Sequence, residues 1–413
     1  MVKPQVVVTG MGLLTPCGIG VQASWAALTA GQSGIGPITL FEASQLATHF
    51  AGEVKDFDPL QYMDRKQARR LDRFQQFAMA AAEMAMQDAA LTVAPERAER
   101  AAVIVGSCMG GLAGAEDIVV RARLGGPQEV PPFFILSVLS NMAASNLSIR
   151  YGFKGLNVST SSACATSAHA LGEAKRLIER GDADVVLAGG AEAPIGFMCV
   201  AGFNAIRALS TRNDAPAAAS RPFAADRDGF VLAEGAAILV LESRAHAEAR
   251  GARIHAVLSG YGAGADAFHI TAPTEQHDGA QRTMRAALAD ASLAPHDIGY
   301  INAHATATPM GDVAEARAME AVFGDGAGRI PVSSTKSMMG HLTGAAGSAE
   351  AIVSICALQS GVVPPTINLD VQDARVRLDC VPHVARAVPG VRAVMSNAFG
   401  FGGTNATLIF SAQ

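Results

Sequence analysis

The chain has 413 residues, 50% of them hydrophobic and 17% charged, which is enough apolar material for a large core and enough length for two or three domain-sized units. A net charge of −5 supplies no global positive field and so argues against a general nucleic-acid binder. The six cysteines form no CxxC pair and the ten histidines no HExxH or HxH pattern, so neither a disulfide framework nor a zinc site is expected.

The N-terminal MVKPQVVVTG passes from Lys3 into a strand-like run with no signal-peptide pattern, and no apolar run approaches the ~18 residues that span a bilayer. A compact, oligomeric, cytoplasmic protein is the expectation. QVVVTG (5–10) reads as the first strand and GMGLLTPCG as a glycine-rich turn, without the third glycine of a dinucleotide loop. Residues 23–30 predict a short helix carrying Trp25, and residues 64–90 a longer one with Met79, Ala82, Met84 and Met86 on its core face. AAVIVGS (101–107) is a buried-type strand. Residues 128–151 carry PPFF and then an amphipathic pattern; residues 181–192, 236–243 and 406–411 read as further strands.

From Ala256 the pattern begins again, with a strand and turn, a helix over 275–291, a strand over 298–306, and helices over 311–323 and 344–361. Alternating buried strands and helices predict α/β layers with helix-covered sheets, divided as residues 1–255 and 256–413.

STSSACATSAHAL (159–171) follows a short strand and leads into a helix whose apolar residues recur at helical spacing over 165–180. Cys164 therefore reads as a strand-to-helix turn residue, where the positive end of the helix dipole lowers a thiol pKa. Its small neighbours leave room for a carbonyl to approach. A buried structural cysteine is the competing reading. Three more stretches set polar residues among glycine and alanine at strand ends: INAHATATPMGD (301–312) with His304, STKSMMGHLTGAAGSAE (334–350) with Lys336 and His341, and NAFGFGGTNA (397–406) with Phe399 and Phe401. Strand-end loops are where α/β proteins place their sites.

SSAC with ATSAHAL, NAHATATPMGD, SSTKSMMGHLTGAAG and NAFGFGGTNATLIF resemble, in order and spacing, the decarboxylating β-ketoacyl-acyl-carrier-protein synthases of the synthase I and II type. The resemblance implies a thiolase-like fold, five layers α-β-α-β-α built from two duplicated halves, and a homodimer. It implies Cys164 as the nucleophile that takes an acyl chain from a carrier thioester. The backbone N–H groups of Cys164 and Phe401 are the implied oxyanion hole, with Phe401 also the gate of the acyl tunnel. His304 and His341 are the implied pair that stabilises the enolate of a decarboxylating malonyl thioester. Lys336 is then a buried lysine, held by Glu315 and Asp312, that orders the histidines.

The same resemblance implies that Thr306 and Thr308 bind the phosphopantetheine arm. Met109, Phe134 and Phe203 would line the acyl tunnel, and Lys66, Arg69, Arg70 and Arg207 would dock an acidic acyl carrier protein. No cofactor and no metal is required by this chemistry, although a monovalent cation near Asn302, Glu350 and Asn397 is a possibility by similarity. Ala305, Ala307, Met339 and Ala398 depart from the usual residues beside the catalytic motifs, and Gln128 and Glu129 stand where relatives often carry basic residues. A ketosynthase of a secondary pathway with its own carrier, a non-condensing partner subunit, and a thiolase acting on coenzyme A esters are the alternatives. Retention of Cys164 opposes the partner subunit, and the two histidines oppose the thiolase.

Overall fold

The computed structural model describes residues 3–413. Strands β1 (Val6–Thr15), β2 (Ala101–Gly106), β3 (Asn157–Val158), β4 (Val185–Glu192) and β5 (Gly235–Ser243) pair in the order β3-β2-β4-β5-β1. Strands β6 (Ala256–Ala265), β7 (Tyr300–Asn302), β8 (Val332–Ser333), β9 (Ala393–Gly400) and β10 (Thr404–Ser411) pair in the order β8-β7-β9-β10-β6. The two orders are the same. In each half the second strand lies parallel to the third and fourth, and the remaining two pairings are antiparallel. The halves join where Val7 and Val8 of β1 pair with Val257 and Ala256 of β6.

Helices α1 (Val21–Thr29), α2 (Arg65–Ala68) and α3 (Arg73–Asp88) precede β2. The single helix expected over 64–90 is thus two, because Asp64 caps α2 through the Gln67 N–H and Asp72 caps α3 through the Phe74 N–H. Then come α4 (Leu112–Gly125), α5 (Phe134–Val138), α6 (Met142–Tyr151), α7 (Thr166–Glu179), α8 (Phe197–Ala205), α9 (Asp278–Ala291), α10 (Gly311–Phe323) and α11 (Ala346–Ser360).

Helices α3 and α6 cover the outer face of the first sheet, α9 and α10 that of the second, and α7 packs with α11 between the sheets. This is the five-layered, duplicated thiolase-like architecture. Every residue of α11 from Ala346 to Leu358 is buried, as a helix in a central layer requires. No helix among the described residues is long and apolar enough to cross a membrane.

The GMGLLT segment is strand rather than turn, buried along its length in β1. Its glycines serve packing. A Cβ on Gly12 would lie 1.8 Å from the Ala81 carbonyl oxygen, and one on Gly10 2.1 Å from that of Ala85, so α3 sits directly on the strand backbone. Gly12→Ala is expected to destabilise the protein by about 3 kcal/mol through overpacking, read as a lower urea midpoint.

Candidate active site

Three loops on one side of the layers converge. Cys164 comes from the turn between β3 and α7, His304 from the segment after β7, and His341 from the segment before α11. The turn at the cysteine is strained: Ala163 has φ +49°, and the Thr166 hydroxyl takes the Ser162 N–H at 2.8 Å. His341 is fixed by its own backbone, which donates to the Val231 carbonyl at 2.8 Å and accepts from Ala233 at 3.0 Å. The ligand atoms of Cys164, His304 and His341 lie within 4.8 Å of one another.

Cys164 Sγ is 2.9 Å from His341 Nε2. That is hydrogen-bond contact, shorter than the roughly 3.5 Å separating two ligands on one tetrahedral zinc, so the pair is arranged for proton transfer. Burial pushes the Cys164 thiol up to about 11, against the Phe401 N–H, the Lys336 charge and the cysteine's own N–H. Desolvation outweighs these donors and this charge, so the thiolate expected at a helix start is not favoured at rest. Burial also holds His341 well below the ordinary histidine range, with Lys336 adding to it, and His304 likewise, with Lys336, His341 and His277 adding.

A neutral thiol therefore faces a neutral imidazole, and the proton leaves the sulfur only as it attacks. Alkylation of Cys164 by iodoacetamide should then rise about tenfold per pH unit between roughly pH 8 and 10. A rate already flat from pH 7, followed by peptide mass, would instead indicate a preformed thiolate–imidazolium pair.

Lys336 is 1% exposed and its Nζ pairs with Glu350 of α11, itself fully buried. The expected support by Glu315 and Asp312 is corrected here. Glu315 accepts the backbone N–H groups of His304 at 2.9 Å and Ala305 at 2.7 Å. Asp312 accepts those of Phe223 at 2.8 Å and Ala307 at 3.1 Å, with Arg227 at 3.6 Å. Both α10 carboxylates are spent on loop N–H groups that would otherwise be buried without partners. Burial pushes Glu315 and Glu350 up to about 7 and Asp312 up to about 6, against these donors and cations.

A cavity of about 850 Å³ opens over the three side chains. Thr306 and Thr308 line it with their hydroxyls 3.3 Å apart, as do Met109, Phe203, Phe401 and Arg207. Phe134 does not; it begins α5 outside this lining, next to the exposed Phe133, Ile135 and Leu136. Lys66, Arg69 and Arg70 are exposed on α2 and just beyond it, Arg70 with its guanidinium 4.4 Å over the Phe133 ring.

Of the residues named for a cation, Asn302 leaves both side-chain polar atoms, and Glu350 its Oε2, buried without a partner among the described residues. Oxygen donors of this kind are what a hard cation takes. Asn397 is already engaged, accepting from Thr407 at 2.9 Å.

Two family models match the chain: β-ketoacyl synthase, N-terminal domain, over residues 3–247, and β-ketoacyl synthase, C-terminal domain, over residues 255–370. The chain belongs to the β-ketoacyl synthase family. The 3-oxoacyl-[acyl-carrier-protein] synthase 2 of Vibrio cholerae is 50% identical to it over 99% of each chain. A β-ketoacyl synthase structure from Burkholderia phymatum superposes with a TM-score of 0.91 at 38% identity, over 99% of this chain and 100% of that one. A type II polyketide synthase acyl-carrier protein in complex with its ketosynthase bound to the hexaketide gives 0.92 at 33% identity over the whole of both chains.

Within this β-ketoacyl synthase two buried acids escaped the sequence reading in their structural role. The sequence motifs point Glu350 toward a cation only, whereas the structure pairs it with Lys336. Glu192, at the end of β4, gathers the Cys108 and Met109 N–H groups, the Cys108 thiol at 2.9 Å and the Thr343 hydroxyl at 2.8 Å, and so builds the turn that bears Met109. An acid closing the apolar run VVLAGGAE was the available signal. Among the departures, Ala307 holds φ +67° where its N–H meets Asp312, while Met339 and Ala398 are fully buried packing residues.

Proposed function

We propose that the chain is a β-ketoacyl-acyl-carrier-protein synthase that elongates an acyl chain by two carbons in decarboxylative condensation. The observation that carries this reading is the Cys164–His341 contact at 2.9 Å beside His304, in a cavity whose lining includes Met109, Phe203, Ile206 and Phe230.

In the first half-reaction Cys164 Sγ attacks the thioester carbonyl of an acyl carrier protein, passing its proton to His341 Nε2. The oxyanion meets the N–H groups of Cys164 and Phe401, the carrier thiol leaves with a proton, and the acyl chain remains on the sulfur. In the second, a malonyl carrier loses carbon dioxide. The electron pair moves into the thioester, whose oxygen is met by N–H donors of His304 and His341. Lowered basicity suits both rings to donate without becoming imidazolium. The carbanion attacks the acyl-Cys164 carbonyl, the thiolate departs and takes a proton from solvent, and a 3-oxoacyl carrier is released. No step requires a cofactor or metal; Asn302 and Glu350 would hold a monovalent cation as a structural ion.

Thr306 and Thr308 would hold the phosphopantetheine arm at the mouth, Met109 and Phe203 line the acyl end, and Phe401 gates it. Lys66, Arg69, Arg70 and Arg207 would receive the acidic carrier. Homodimerisation is supported by the exposed edge strand β3, with Val158 and the adjoining Leu156, and by the apolar surface of Phe133, Ile135, Leu136 and Leu139.

The test is to supply acyl and malonyl carriers and identify the product: a 3-oxoacyl carrier two carbons longer supports the reading, and its absence with every carrier tried opposes it. A specialised pathway is the second reading. Exposed Gln128 and Glu129, which weaken attraction to an acidic carrier, favour it, and a strong preference for one dedicated carrier would select it.

A further inference from the structure

A third histidine lies in the same cavity and has no role so far. His277 caps α9 with φ +44° and ψ +54°, a left-handed conformation that glycine adopts freely and a residue with a Cβ does not. Its side chain is only 5% exposed. The ring stands edge-on to Phe399, with centroids 4.9 Å apart at 71°, and Phe399 stands edge-on to His304 at 5.9 Å and 62°.

The run of rings continues without a break. His304 meets His341 at 5.5 Å, His341 meets Phe230 at 5.5 Å, and Phe230 meets Phe203 of the acyl side at 5.2 Å. Edge-to-face pairs of this kind fix ring orientation as well as contributing packing energy. The far end is anchored by charge: Asp266 Oδ2 faces His277 Nε2 at 3.6 Å, and its Oδ1 accepts from Asn405 at 2.7 Å.

We propose that His277 is a positioning residue for His304, acting through Phe399, so that the Asp266–His277–Phe399 line fixes the imidazole that meets the enolate oxygen. The inference rests on the condensing function proposed above and assigns His277 to its second half-reaction. Strain at His277 is tolerated because the imidazole is what presses Phe399 against His304. The line meets His304 directly and the Cys164–His341 pair only beyond it, so its effect falls mainly on decarboxylation.

The groups facing His277 are Asp266 from the end of β6, Asp278 of its own helix, Asn405 of β10, and His304 beyond Phe399. Burial holds His277 below the ordinary histidine range, and in the acid range where it is protonated its charge works against protonation of His304. Removing it lets His304 take a proton at higher pH.

The test uses His277→Gly, which the backbone conformation favours, and His277→Asn, which it tolerates. Carbon dioxide release from malonyl carrier and acylation of Cys164 are measured separately across pH. Decarboxylation is expected to fall about tenfold in both variants at unchanged KM, with acylation within about twofold of wild type. The acid limb of decarboxylation should move to higher pH. Unchanged decarboxylation, or an equal fall of both half-reactions with a lowered Tm, would overturn the proposal. Wild-type protein that performs neither half-reaction would overturn the parent reading, and the proposal with it.

Discussion

Cys164→Ala is expected to abolish acyl transfer and condensation, by about 10⁴-fold or more, while leaving malonyl decarboxylation measurable. The asymmetry follows from the division of labour. Acyl transfer needs a sulfur that gives its proton to His341 Nε2 at 2.9 Å and bonds to carbon. Decarboxylation needs only donors to the thioester oxygen, and His304 and His341 remain in place when the thiol is gone. Their lowered basicity persists, because burial is its main cause and Lys336 the next. Release of labelled carbon dioxide from malonyl carrier, measured beside acylation of the protein, separates the two. Equal loss of both activities in a folded variant would mean that the cysteine takes part in carbanion formation as well.

Lys336→Met carries the second large effect, on stability and catalysis together. The lysine and Glu350 are 1% and 0% exposed, so removing the cation leaves a buried carboxylate without its partner and costs about 3 kcal/mol. Burial already pushes Glu350 up to about 7 with Lys336 opposing it, and without Lys336 it goes higher. A carboxyl whose folded pKa is raised destabilises the fold above the unfolded value of about 4.3; wild-type Glu350 does so too up to about 7, so the gap between the two proteins opens as pH rises above that value. Urea unfolding should show a wider gap from wild type at pH 8 than at pH 5.

Catalysis responds through the histidines. Lys336 helps keep His304 and His341 neutral, so its loss moves the acid limb of condensation to higher pH. Misplacement of the His341 loop lowers the rate by about 10²-fold or more. Adding Glu350→Gln should restore most of the stability and none of the activity. A double variant that regained activity would show that the charge pair serves only folding.

The alternation of buried strands with helices was legible, and so was the duplication, because β6 to β10 repeat the order of β1 to β5. Element ends were less so. Gly10 and Gly12 read as turn residues because glycine usually marks one, whereas here they admit a helix onto a strand. Asp64 and Asp72 sit inside an apparently continuous helical pattern, and their capping bonds split it.

The four candidate positions Cys164, His304, Lys336 and His341 could be named because small-residue stretches at strand ends carry them and their order and spacing resemble the family's motifs. Their electrostatics could not. Whether a dipole or desolvation controls Cys164 depends on depth, which no local pattern encodes. The partner of Lys336 depended on which carboxylates the backbone had already claimed: Glu315 and Asp312 are held by loop N–H groups, and Glu350 is free to turn toward the ammonium. His277 carries no motif at all. Its significance is a matter of rings brought together by loops that are distant in sequence.

The most direct measurement is the intact mass of the purified protein after incubation with acyl carriers of graded length, and again after malonyl carrier is added, beside the Cys164→Ala variant. The condensing mechanism predicts one acyl adduct on wild type, none on the variant, and loss of the adduct as a 3-oxoacyl carrier two carbons longer forms. An adduct that persists after malonyl carrier is added, or a folded protein that takes no acyl group from any carrier, would contradict it.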